Sequence, residues 1–404
     1  KKGVRKGGYS MTYIKSLIAP RRYVQGPGAF ETGGRLVALY GKKALVVGGK
    51  RALAAVEKWG LLKSLEKYKV EYVKEPFGQP PYGAECTKRE IERLVKIVEQ
   101  NKCDAVITCG GGKAIDTGKA VAFKTNAGMI VIPTITATDA PTSALSVLYN
   151  EDHTFAEYLF YPRNPDLVLI DSKCVADSPS RFLACGYGDG FSKKYEGEAV
   201  VRAGKTNFAW VEFTPTGANY AAGSDHSTIT ALTLCRLGNE IMLKYGLPGV
   251  LACKNHIVTP ALEAVIEANV LLSGLGFEST GLATAHSIYN GLTAIIGEPE
   301  MFHGEGVHFG TLTQMVMEDR PTEEIMMVME WSHSVGLPTT FADIGLKDVT
   351  DEKLWKVAQK ATGAGETIHN MYFPVTPEIV FNAMKGVDSL GKTVKTPKLP
   401  LEAH

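Results

Sequence analysis

Up to about residue 178 the chain alternates short apolar runs with amphipathic stretches, and beyond that point the apolar runs stop. The spacing predicts strands at LVALYG and KKALVVGG (two runs around 36–49), 70–75, 104–110, 128–134 and 166–171. Gly, Pro or Asp bounds these runs, as in parallel strands buried on both faces. Helices are expected between them over 52–68, 87–101 and 113–125, and Thr87 with Glu90 three residues on reads as a capping box. Such alternation implies a doubly wound α/β domain. The stretches 227–246, 259–277, 281–296, 306–319 and 322–336 carry apolar residues at helical spacing instead. The expected architecture is therefore an α/β N-terminal nucleotide-binding domain plus an all-α C-terminal domain. A basic tail covers 1–15, a Rossmann-like domain 16–178 and a helical domain 179–404, with the hinge near 171–186. The Gly/Ser/Thr-rich segment 211–227 is expected to be a loop.

At 404 residues the chain exceeds one ordinary core. Its 45% hydrophobic and 22% charged content is that of a soluble globular protein. A net charge of +1 argues against nucleic acid as a partner, which needs a basic face. The seven cysteines include no C-x-x-C pair and read as reduced thiols of an intracellular protein. No run approaches the roughly 20 apolar residues of a membrane helix, so no membrane partner is expected. The N-terminus, KKGVRKGGYSMTYIK, reads as a disordered tail in a cytoplasmic protein; the alternative is the remnant of a mitochondrial transit sequence.

Gly110, Gly111 and Gly112 sit between an expected strand and an expected helix. Glycine there lets phosphate oxygens approach the backbone, and the helix N-terminus offers free N–H groups to a pyrophosphate. A GGGK string also suits any tight strand-to-helix turn, so the context matters: Asp116 and Thr117 follow within the first turns. Lys113 is a candidate for neutralising phosphate, or a solvated helix-start lysine. The next strand runs into IPTITATDAPTSALSVLY, where Thr134, Thr136, Thr138 and Ser143 can donate to a diphosphate or ribose. Asp139 can accept from a substrate hydroxyl or cap a helix.

Asp189 in CGYGDG, His286 in GLATAHSIYNGL and His303 in MFHGEGVHFG form a second constellation. One carboxylate and two imidazoles suffice to hold a divalent metal and leave a coordination position open. Nothing in their spacing has metal geometry, unlike two histidines one turn apart on a helix.

In these segments the chain resembles the glycerol dehydrogenase branch of the iron-containing (group III) alcohol dehydrogenase superfamily, whose fold is dehydroquinate synthase-like. The resemblance runs from YVQGPGA to about Gly391. It is carried by GGGKAIDTGKAVA, PTITATDAPTSALSVLYNED, EYLFYPRNPDLVLID, GFESTGLATAHSIYNGLTAI and HGEGVHFGTL. It implies a catalytic Zn2+ (Fe2+ in some relatives) on Asp189, His286 and His303. It also implies a dinucleotide against Gly112, Lys113, Thr134, Ser143, Leu145 and Tyr149, to which the reading of the turn and crevice adds Gly111, Asp116 and Thr136, and glycerol beside Asp139. The implied reaction is reversible, metal-dependent oxidation of glycerol to dihydroxyacetone with NAD or NADP, in a homo-oligomer with an octamer as the expected form. The alternatives are a dehydrogenase for another small polyol, a catalytically impaired homologue, or a dehydroquinate-synthase-like lyase, which would need a basic cluster for a phosphate-bearing substrate.

Three departures stand out. Where relatives follow the metal Asp with Ala-Leu-Ala-Thr, this chain has Gly190-Phe191-Ser192-Lys193 and then Lys194. A lysine pointed at the site opposes cation binding; pointed outward it is harmless. His308 is an extra imidazole near the site, for proton release or for packing. NAD-specific relatives carry Asp after the strand that here reads ALVVGG, whereas this chain has Gly49, Lys50 and Arg51. An acid there holds the ribose 2′-hydroxyl and repels a 2′-phosphate, so its loss predicts acceptance of NADP.

Overall fold

The computed structural model describes residues 13–152, 155–209, 213–214, 217–218, 225–297 and 300–402. Most of the expected tail lies outside that range, but β1 (Lys15–Ser16) pairs in parallel with His226–Ser227. Its attachment is to the helical half of the chain. The central sheet is six-stranded and wholly parallel. It contains β2 (Tyr23–Gly26), β3 (Lys43–Gly48), β4 (Glu71–Pro76), β5 (Ala105–Gly110), β6 (Gly128–Pro133) and, after a hairpin of β7 (Leu145–Tyr149) and β8 (Phe155–Phe160), β9 (Leu167–Asp171). The order across the sheet is β2-β9-β6-β5-β3-β4. Chain progression thus reverses between β3 and β5, and their carboxyl ends open the crevice where such sheets bind ligands.

Alternating side chains go to opposite faces. Val46, Ile107 and Ile130 join Phe30, Leu61 and Leu65 on one side. Leu45, Val47 and Val106 join Ile91, Leu94 and Val121 on the other. The first face is covered by α1 (Ala29–Val37), α2 (Lys50–Lys58) and α3 (Leu61–Lys67), the second by α4 (Lys88–Asn101) and α5 (Gly112–Lys124). Burial on both sides is why these strands are nearly continuous apolar runs.

Three expectations change. LVALYG is no strand: Leu36 and Val37 end α1, whose Gly34 lies so close to Ser64 that a Cβ would fall 2.1 Å from its carbonyl oxygen. A short apolar run does not by itself separate strand from helix. The expected 52–68 helix is two, broken at Trp59–Gly60. Thr87 does cap α4, its hydroxyl taking the Glu90 N–H at 3.2 Å, but Glu90 turns to Arg93 and the Gly78 N–H instead of closing a box.

Past β9 the chain is helical, apart from the short strands β10 (Phe213–Thr214), β11 (Gly217–Ala218) and β12 (His226–Ser227), which fall in the expected loop. A one-turn α6 (Ser172–Ala176) leads to α7 (Ser180–Ala203), the central helix of the second half, flanked by α8 (Ile229–Lys254). Then come α9 (Pro260–Glu267), a π turn over Ala268–Leu272 and α10 (Ser273–Thr280) as one continuous run. That run has the length and mean hydropathy of a membrane span, contrary to the sequence expectation, and 61% of its most apolar window is buried inside the protein. α11 (Thr284–Leu292), α12 (His303–Met317), α13 (Thr322–Ser334), α14 (Asp351–Ala361) and α15 (Pro377–Gly391) complete the fold. The seven cysteines are all free and buried.

Candidate metal centre and nucleotide crevice

The three metal candidates come from three helices. Asp189 lies in the middle of α7; His286 sits in the first turn of α11 and His303 is the first residue of α12. Helices meet this closely only where side chains vanish. A Cβ on Gly188 would fall 2.1 Å from the Gly304 carbonyl oxygen, and one on Gly304 would fall 1.8 Å from that of Cys185. The glycines flanking Asp189 and His303 thus let α7 and α12 touch backbone to backbone. A ligand atom from each of the three residues lies within 4.8 Å of the others, as a shared ion requires.

Glu196, seven residues after Asp189 on the same helix, has no part in the sequence reading. Its Oε2 accepts from His286 Nδ1 at 2.7 Å, and its Oε1 takes the backbone N–H groups of Ala283 (2.9 Å) and His286 (3.1 Å). With Nδ1 held there, His286 Nε2 faces Asp189 Oδ1 at 3.4 Å. Carboxylates behind imidazoles fix metal ligands in this way. Burial is the largest single influence on the His286 pKa and depresses it, but the Glu196 and Asp189 carboxylates together outweigh burial and the Lys193 charge and raise it to about 8. Tyr289 stacks edge-on against His303 with ring centres 4.4 Å apart.

Lys193, one turn after Asp189, points inward. Its ammonium is 2.6 Å from Asp189 Oδ1, 3.1 Å from His286 Nε2 and 3.2 Å from Asp139 Oδ2. Desolvation works to raise the Asp189 pKa, yet Lys193 and the two imidazoles hold it well below the usual carboxylate range. Asp139 goes the other way: burial, then the charge of Asp189, raise it. Lys194 lies over the Tyr195 ring at 4.9 Å, directed away from the trio. His308 is wholly buried, its Nε2 2.7 Å from Ser332 Oγ. Since Ser332 donates to Val328 O, His308 donates to Ser332, a packing role. The donor set fits a divalent ion; the lysine among the donors stands against one.

Asp139 belongs to the trio's surroundings. Its backbone N–H reaches Asp189 Oδ2 at 3.4 Å, and its own Oδ2 accepts from Ser273 Oγ at 2.6 Å. The π turn also brings Asn269 Nδ2 to the Thr136 carbonyl at 3.2 Å, tying the 134–145 segment to the helical half.

The nucleotide candidates follow the carboxyl ends of β3, β5 and β6. Gly110 has φ +136°, a conformation side chains resist, and Gly111 caps α5 without a side-chain hydrogen bond. Gly112 opens the helix, where a Cβ would meet the Thr138 methyl at 3.2 Å. Lys113 is ion-paired with Glu85 at 2.8 Å. Thr134 and Thr136 are buried in the crevice wall. The lysine that organises this wall is Lys119, which sequence reading passed over. Fully buried, it donates to the carbonyls of Ala140 and Leu145 and to Ser143 Oγ, and pairs with Asp116 at 3.0 Å. Asp116 accepts from the Val147 N–H and Ser143 donates to Ala140 O, so both brace the wall. Tyr149 is held through its N–H to Cys86 O. At the end of β3, Gly49 caps α2 with open space where a Cβ would project, and Lys50 and Arg51 are exposed.

Residues 20–172 match the model of the iron-containing alcohol dehydrogenase family. The chain is 43% identical over 382 residues to a glycerol dehydrogenase from Thermotoga maritima, covering 95% of this chain and 99% of that one. It is 40% identical to a glycerol dehydrogenase from Citrobacter freundii, covering 94% and 98%. The solved structure of glycerol dehydrogenase from Schizosaccharomyces pombe superposes with a TM-score of 0.85 at 33% identity, covering 97% of each chain.

Proposed function

We propose that this chain, which belongs to the iron-containing alcohol dehydrogenase family, oxidises glycerol at its secondary carbon to dihydroxyacetone, reversibly, with hydride transfer to a nicotinamide dinucleotide. The observation that carries the reading is the meeting of Asp139, from the crevice wall, with Asp189, His286 and His303, from three helices of the other half. Catalysis of this kind is positioning and electrostatics around chemistry that the cofactor supplies. A divalent ion on Asp189, His286 and His303, zinc in this proposal and iron as the alternative, would supply Lewis-acid stabilisation of alkoxide charge on the substrate. Glu196 holds the Nδ1 proton of His286 and keeps Nε2 turned toward Asp189, the side on which an ion would be held. Asp139 is positioned by Ser273 to accept from a polyol hydroxyl. The turn at Gly110–Gly112 presents α5 N–H groups to the pyrophosphate, and Lys119 holds the opposite wall in shape.

Either NAD or NADP serves as cofactor in this reading. Gly49 offers neither an acceptor for a 2′-hydroxyl nor a charge against a 2′-phosphate, and Lys50 and Arg51 can attract one. The test is nicotinamide reduction with glycerol, comparing both dinucleotides, with zinc and with a chelator. The expected result is turnover that falls on chelation and returns with zinc, and is at least as efficient with NADP as with NAD. Turnover with another small alcohol but none with glycerol would move the substrate assignment.

A further inference from the structure

Lys193 is the one fully buried cation in contact with the candidate ligands among the described residues, its side chain 1% exposed. An ammonium has three N–H bonds and no acceptor. Here the three are matched by three partners: Asp189 Oδ1, His286 Nε2 and Asp139 Oδ2. Two of those partner atoms are the ones an ion would need. The ring of Phe277 closes a further side, 5.5 Å from the ammonium. Position as well as charge is therefore taken. An ion coordinated by Asp189 and His286 cannot share that space with the ammonium, and each would repel the other across a partly desolvated gap.

We propose that Lys193 supplies the resident positive charge of this site, so that a divalent ion binds only by expelling the ammonium. The buried pair explains why Asp139 and Asp189 tolerate each other's proximity: Lys193 bridges them. It also separates this chain's metal affinity from its ligand set. Asp189, His286 and His303 are all present and in register, yet the fourth group among them is a competitor for the ion. The inference rests on those three residues being the metal ligands in the proposed reaction.

The experiment measures zinc affinity directly, with no assay of turnover. Metal-stripped wild type, K193T and K193Q are titrated with zinc against a chromophoric chelator, each with and without H303A. Threonine is short and neutral and clears the space of the ammonium; glutamine keeps most of the length and a hydrogen bond to Asp189 while losing the charge. Thermal melting of every variant identifies folded protein, so either substitution suffices if the other fails to fold. The expected result is that K193T and K193Q bind one zinc per chain at least about tenfold more tightly than wild type, a modest demand on a unit charge this close to the ion. That gain should vanish when H303A is added. Equal affinity of wild type and variants, abolished by H303A, overturns the competition while leaving the metal ligands intact. Folded variants that bind no zinc, or bind it irrespective of His303, overturn both the competition and the ligand assignment.

Discussion

Glu196 gives His286 a single useful orientation, its buried carboxylate accepting from the Nδ1 and backbone N–H of His286 and from the Ala283 N–H. Glu196→Gln keeps the shape and removes the charge that holds the Nδ1 proton. The expected outcome is a fall of about ten- to a hundredfold in zinc affinity or in kcat/KM, with little change in Tm, the usual scale for a group behind a metal ligand. Metal titration and steady-state kinetics on the same preparation check it. At Gly49 a side chain would begin in open space, with no atom within 4 Å of its Cβ. Gly49→Asp should lower kcat/KM with NADP by about tenfold or more relative to NAD, since a negative charge then faces the 2′-phosphate. An unchanged ratio would mean the dinucleotide's ribose lies elsewhere. At this scale the sequence named Asp189, His286 and His303 through resemblance alone, because residues on three helices have no diagnostic spacing. Glu196 was legible in principle as the same helical stripe as Asp189. Its partner, however, lies ninety residues away in sequence, and only folding brings the two together. Lys193 was visible as a suspicious residue; which way it points depends on helix rotation that no pattern supplied.

The contact of α7 with α12 is set by two glycines and leaves no room for a methyl group. Gly304→Ala should separate the two helices, costing about 1–3 kcal/mol of stability. The separation should also weaken metal binding through His303, its immediate neighbour in the chain. A lower Tm together with weakened zinc binding is the expected pair of readings; a lower Tm with unaltered zinc affinity would place the ligand geometry outside this contact. Elements with a clear apolar pattern were readable in advance: α4 and α5, whose apolar faces repeat at helical spacing, and the short buried strands β3, β5, β6 and β9. Others were not: α7, 24 residues long, is buried on nearly every side and shows no amphipathic period, and α14 and α15 lie beyond the last of the expected stretches. Leu36 and Val37 look like strand residues and end a helix, because Gly34 packs onto the α3 backbone. The β7–β8 hairpin hides in a segment whose hydroxyl residues suggest a loop, and its pairing partner is visible only in three dimensions.

Across the molecule, the α/β half and the helical half are joined where the crevice wall meets α7 and the π turn. Glu278 of α10 fastens the same seam, accepting from Ala144 N–H at 2.6 Å and from Asn164 Nδ2 at 2.7 Å. Sequence alternation forecast the two halves; it could not forecast this seam, which depends on loops. His308 reports on the integrity of the helical half. Burial, with smaller contributions from the Lys398 and His333 charges, lowers its pKa to about 3. An unfolded histidine titrates near about 6.5, so below that pH the unfolded chain gains a proton that the folded chain refuses. Stability from this group is complete above pH 6.5 and declines as pH falls toward 3, by about 2 kcal/mol at pH 5. His308→Phe should therefore lose less Tm than wild type between pH 7 and pH 5, as read by melting curves at both values.

The single helix α7 carries Asp189, Lys193 and Glu196 at successive turns along one stripe. In the proposed reading the first would grip an ion, the second would compete with it for the same place, and the third steadies a neighbouring ligand. Descendants of such a chain could gain or shed their ion through a single codon at the middle position, leaving every coordinating residue untouched. Inventories that infer metal content from coordinating residues alone would count such a pair of chains as identical.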